Sequence, residues 1–187
     1  MNAIDEKIIL TAIAVAGEGD ANRFSTKEIA SRLGISEFMI YDHFHDKDNL
    51  LNLCDERVAE DYYSSVLKWA PLSKDFLTFF NHVMDEHIQR KGFGAFAINY
   101  CRVFPRYEKA SDFAFFKANV EKTIKTVFPY FPLSHEEDAF ALWCYFTREF
   151  ACYGQLLIEK RVDDTPENRK MMAELILDGF SPYLTRK

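Results

Sequence analysis

Residues Thr26 to Phe44 read T-K-E-I-A-S-R-L-G-I-S-E-F-M-I-Y-D-H-F, and the rest of the chain is understood through this stretch. Thr26 has the short hydroxyl side chain of a helix N-cap, and Ile29, Ala30 and Leu33 follow at the spacing of one apolar helical stripe. Gly34 supplies the positive φ that a tight turn needs. Ser36 caps a second short helix reaching about His43. Ala30 is small where two helices would cross, and Ile35 and Ile40 are placed to hold the second helix against the first. Two short helices about a glycine-centred turn make either a helix-turn-helix or an ordinary helical corner, and spacing alone leaves both open.

On the N-terminal side, Ile8, Ile9, Ala12, Ile13 and Ala16 recur at helical spacing, and Gly17 to Asp20 ends that helix. On the other side, Asp46 caps a long helix with Leu51, Cys54, Val58, Tyr62, Val66 and Trp69 on one face, stopped by Pro71. Phe76, Phe80, Val83 and His87 mark the next helix, closed by Gly92 and Gly94. A short one from Phe96 to Phe104 stops at Pro105. Another carries Phe113, Phe116, Val120, Ile124 and Val127 and closes at Pro129 to Pro132. Ser134 with Glu137 is a capping box opening a long helix to about Arg161. Thr165 and Pro166 give a cap and an N1 proline to the last helix, which carries Met172, Leu175, Ile176, Gly179 and Tyr183. The expected fold is all-α with about nine helices. A three-helix head over residues 1–47 is joined by the long helix to a larger helical body over 48–187.

Composition narrows the function classes. The 187 residues are 48% hydrophobic, enough for a substantial core. No basic and apolar leader opens the chain, and no apolar run approaches a membrane span, so a cytoplasmic protein without membrane contact is expected. Cys54, Cys101, Cys144 and Cys152 form no C-x-x-C pair and read as free thiols in a reducing compartment, with no metal site and no cofactor. There is no Ser-His-Asp arrangement and no glycine-rich phosphate loop. His82 and Glu86 are a lone i,i+4 pair, so an enzyme is not expected. Of 18 Phe, all but Phe24, Phe38 and Phe44 lie after residue 55. The net charge of −6 is uneven: residues 1–55 hold five basic side chains against ten acidic, a net of −5.

The stretch from Thr26 to Leu50 resembles the head of the TetR family of repressors, whose pattern runs roughly T-x-x-x-I-A-x-x-x-G-V-S-x-G-T-L-Y-x-H-F-x-x-K-x-x-L. Thr26, Ile29 or Ala30, Gly34, Ile35, Ser36, Ile40, Tyr41, His43, Phe44, Lys47 and Leu50 fall in register, and Tyr41 to Lys47 is the most specific part. The resemblance implies a DNA-binding regulator whose second motif helix enters the major groove. Carried over, it puts Thr26 and Lys27 on phosphate, and Ser36 and Glu37 at the start of the recognition helix. Tyr41 and His43 would reach a phosphate or a base edge, and Lys47 a phosphate at the start of the connecting helix. Phe38 and Met39 stand where the family usually has Gly-Thr, giving an apolar surface suited to thymine methyls or to packing within the head. Asp42, Asp46 and Asp48 flank the expected phosphate contacts, against the usual electrostatics of DNA binding.

In that family the body binds a small effector and forms a homodimer through its last two helices. Residues 139–158 are apolar nearly all round, and Gly154 and Gly179 would allow close helix approach. Candidate effector contacts are His82, Asn99, Arg102, Trp143, Tyr145, Arg148, Glu149 and Tyr153, polar or aromatic groups set in apolar periodicity. An apolar or amphipathic ligand is expected, released repression being the outcome of its binding. The alternative is a helical protein-interaction regulator that keeps the head's fold and binds DNA weakly or not at all.

Overall fold

The computed structural model describes residues 2–18, 24–90, 92–99 and 139–181, and the regular elements within them are helices. They are α1 (Ala3–Glu18), α2 (Thr26–Leu33), α3 (Glu37–Phe44), α4 (Lys47–Trp69), α5 (Phe76–Gln89), α6 (Phe93–Asn99), α7 (Ala139–Ile158) and α8 (Pro166–Phe180). A 3-10 turn, Ala70–Leu72, carries Pro71 past the end of α4. The helix expected over Phe113 to Val127, the Ser134–Glu137 capping box and Tyr183 lie outside the described residues. The chain divides into two units, one of residues 1–60 with 90–106 and one of 61–89 with 107–187, and α4 contributes to both.

The first unit is built on α1. Its Ile8, Ile9, Ala12, Ile13 and Ala16 are buried, as their spacing predicts. Ile29 and Ala30 of α2, Ile40 and Phe44 of α3, and Leu50, Cys54 and Val58 of α4 are buried as well; α2 packs on both α1 and α3, and Cys54 Sγ donates to the Ile9 carbonyl at 3.7 Å. On α4 the inward row begins at Leu50, which is fully buried, whereas Leu51 is only half-buried. Residues 50, 54 and 58 repeat every fourth position, so they form the straighter stripe. Asp46 caps α4 as expected, its Oδ1 accepting the Asn49 N–H at 2.7 Å. The short helix α6 packs on α1, and it begins at Phe93, ahead of the expected Phe96. Two glycines make this approach possible: a methyl at Gly17 would lie 2.7 Å from the Gly92 Cα, and Gly92 itself has φ +92.

The second unit packs the end of α4, α5, α7 and α8 around phenylalanine. Phe146 and Phe150 lie 4.5 Å apart between ring centres, Phe80 meets Phe150 at 4.9 Å, and Phe79 stacks on Phe146 at 6.2 Å. Met172, Ala173, Ile176 and Phe180 of α8 close the cluster. Glu86 on α5 ties α5 to the end of α4 by accepting from Ser65 Oγ, Lys68 Nζ and Trp69 Nε1. Gly154 and Gly179 do permit close approach, each to a ring. A methyl at Gly154 would strike the His87 ring, and one at Gly179 the Tyr145 hydroxyl. Thr165 caps α8 and Pro166 takes its first turn, as the sequence indicates.

Candidate functional site

Ser25, not Thr26, caps α2: its extended backbone and its Oγ, which accepts the Glu28 N–H at 3.3 Å, place Thr26 at the first helical position. The signal for this cap lies one residue upstream of Thr26. Ser25-Thr-Lys-Glu28 has the capping-box spacing, and buried Phe24 and Ile29 stand at the N′ and N4 positions of a hydrophobic staple. Glu28 does not complete the box; its carboxylate pairs with Arg32 at 2.6 Å, and Arg32 also meets Glu18 at 2.7 Å.

Gly34 ends α2 with φ 66 and ψ 31. Its N–H reaches the Ser31 carbonyl while the Ile35 N–H reaches that of Ala30, the paired bonds of a Schellman turn. That left-handed residue swings the chain into α3, whose cap, Ser36, accepts the Met39 N–H at 3.2 Å. Ile40 and Phe44 anchor α3 in the core, so the opposite face is solvent-exposed. Phe38 is 77% exposed, Tyr41 41% and Met39 37%, a large exposed apolar surface.

The nine residues expected at DNA are arranged unevenly around this face. Lys27, Ser36, Phe38, Met39, Tyr41 and Lys47 are exposed, and Glu37 is half-buried. Thr26 is buried, and its hydroxyl faces Glu37 and Tyr41. His43 is partly buried, with Nδ1 2.6 Å from Asp5 Oδ1 on α1. The Asn2 N–H, opposed by slight desolvation and joined by His43, holds the Asp5 carboxyl below its usual range. Lys47 Nζ stands over the Phe24 ring, 5.3 Å from its centre. Asp5 and Phe24 are neighbours of His43 and Lys47 that the sequence does not single out. Asp5 sits 38 residues from its histidine, whereas Phe24 had the staple spacing to mark it.

Of the eight candidate effector contacts, seven are among the described residues. Arg102 lies outside the described residues, and Asn99 ends α6 in the first unit. His82 stacks on Trp69 at 4.2 Å between ring centres, and Trp143 is buried against Tyr63. Arg148 is exposed. Tyr145, Glu149 and Tyr153 do share a face of α7, and burial followed by the Glu149 charge pushes both tyrosine hydroxyls up. Among the described residues of this unit the buried histidine is His87, whose Nδ1 lies 2.8 Å from the Tyr62 hydroxyl. Its place on the Phe76–Phe80–Val83 stripe was the signal for it. Among the described residues, no three His, Cys, Asp or Glu side chains are grouped to hold a metal ion, and no helix is long and apolar enough to cross a membrane.

Comparison with known proteins bears on the head and on the fold separately. Residues 8–54 match the family model described as bacterial regulatory proteins, tetR family. No curated protein matches the chain in sequence. Among solved structures, a TetR family transcription regulator from Marinobacter aquaeolei VT8 is similar over 100% of both chains, at 13% identity and a TM-score of 0.66. A transcriptional regulator from Rhodococcus sp. RHA1 covers 98% of this chain and 99% of its own, at 14% identity and 0.61. A TetR-like transcriptional regulator from the same organism covers 97% and 98%, at 12% identity and 0.58. The protein therefore carries the tetR-family domain of bacterial regulatory proteins at its head, on the fold of the TetR family transcription regulators.

Proposed function

We propose that the protein is a DNA-binding transcriptional repressor acting in the cytoplasm, with residues 1–47 contacting an operator and residues 48–187 binding an effector and a second copy of the chain. The observation that carries this reading is the exposed face of α3. Ile40 and Phe44 hold the helix in the core while Phe38, Met39 and Tyr41 stand in solvent, and Lys27 on α2 and Lys47 at the start of α4 are exposed as well. A helix presented this way fits the major groove, with the lysines on phosphate and Phe38 against thymine methyls. Dimerisation through α7 and α8 is supported by Met171 and Leu175, one turn apart and exposed on α8. A small apolar or amphipathic effector in the aromatic body would act through α4, which runs through both units. A gel shift with the DNA upstream of its own gene tests the reading. Retardation that is lost on adding salt supports it, and no retardation at low salt by folded protein refutes it.

Exposed Asp42, Asp46 and Asp48 favour a second reading, a helical regulator that works through protein contacts with the same head. Absence of any DNA binding at low salt is the result that selects it.

A further inference from the structure

The Thr26 hydroxyl joins the two motif helices. It donates to Glu37 Oε1 at 2.5 Å. The Tyr41 hydroxyl lies 3.2 Å away and is left to donate to the Thr26 oxygen, because Thr26 has one proton to give. Thr26 is 7% exposed, so this geometry is set by packing. Glu37 is the first residue of α3, the end of a recognition helix that meets base edges. Its second carboxylate oxygen has no hydrogen bond among the described residues.

A fixed carboxylate at that place is unfavourable against the DNA polyanion unless it meets a donor. In the major groove the amino donors are cytosine N4 and adenine N6. Adenine also presents its N7 acceptor beside N6, which repels a carboxylate, whereas the cytosine edge presents the amino group without such a neighbour. We propose that Glu37 determines specificity by accepting from cytosine N4, and that Thr26 is a positioning residue for Glu37 and not a phosphate contact. The inference rests on the DNA-binding reading above.

Selection of the full-length chain on a randomised duplex pool, followed by sequencing, tests it with Glu37→Gln, Thr26→Val and Thr26→Ser beside the wild type. The wild-type motif is expected to hold one cytosine position per half-site. Glu37→Gln, which can both donate and accept, is expected to move that position to adenine, with a change in preference of roughly ten-fold or more. Thr26→Val should flatten preference at the same position, and Thr26→Ser should restore it, with all other positions unchanged. A tie that only held the helices together would weaken all sequences by one factor. A Glu37→Gln motif identical to the wild type, or a uniform loss for Thr26→Val, overturns the inference while leaving DNA binding intact. A wild-type chain that enriches no sequence overturns both.

Discussion

Replacing Gly154 by alanine puts a methyl 2.1 Å from His87 Cδ2 and 2.5 Å from its Nε2. The ring has little room to retreat, being 3% exposed and held at Nδ1 by the Tyr62 hydroxyl 2.8 Å away. Alanine favours a helix over glycine by about 1 kcal/mol. Overpacking of a filled core costs roughly 1–3 kcal/mol, and loss of the Tyr62–His87 hydrogen bond costs about 1 more. The expected net loss is therefore about 1–3 kcal/mol. Gly179 is the control. A methyl there would lie 2.3 Å from the Tyr145 hydroxyl oxygen, yet Tyr145 is 38% exposed and its ring can turn outward. Gly179→Ala should keep most of its helix gain and fall within about 1 kcal/mol of the parent, on the stabilising side. Urea unfolding followed by circular dichroism, at one protein concentration throughout, reads both. In a His87→Ala background, Gly154→Ala should cost less than about 0.5 kcal/mol, because the obstructing ring is gone. Equal stability of the two glycine variants, or additivity of Gly154→Ala with His87→Ala, refutes the packing argument.

Glu86 predicts a pH dependence. Partial burial pushes its carboxyl up, but Lys68, Ser65 and Trp69 together outweigh it and hold the group at about 2, below the unfolded 4.5. Stabilisation on the order of 2 kcal/mol is thus fully present above pH 4.5 and lost as pH falls toward 2; unfolding free energies of Glu86→Gln should be flatter across that window. Gly34→Ala should cost about 1–2 kcal/mol of stability by urea titration, since its left-handed φ of 66 penalises a Cβ that otherwise meets nothing. Gly34→Asn should lose less. Burial pushes the Cys54 thiol far up, so peptide mapping after iodoacetamide treatment at mildly alkaline pH should show it modified more slowly than half-buried Cys152.

What could be read from the sequence follows the range of the interactions involved. The turn at Gly34, the cap at Ser36 and the buried pair Ile40 and Phe44 depend on residues a few positions apart, so local rules reach them. The shift from Thr26 to Ser25 as cap arises because two adjacent hydroxyl residues both satisfy the cap preference. The staple of Phe24 and Ile29 breaks that tie. Leu50 and Leu51 posed the same choice on α4. The Thr26–Glu37–Tyr41 contact was out of reach because its partners meet only after the Schellman turn is built. So was the approach of Gly17 to Gly92, which brings α6 onto α1 across more than seventy residues. In the body, His82 stands out in sequence for polarity in an apolar pattern and stacks on Trp69, while the stripe itself places His87 inward.

Binding of the full-length chain to a labelled duplex from upstream of its own gene, followed by fluorescence anisotropy across a salt series, addresses the proposed function most directly. With Lys27 and Lys47 of each head on phosphate, a dimer neutralises about four phosphates, and log affinity should fall with log salt at a slope near −4. Lys27→Ala should lower that slope by about two per dimer without changing the preferred sequence. A folded protein that shows no binding at low salt, or binding indifferent to salt, contradicts the account.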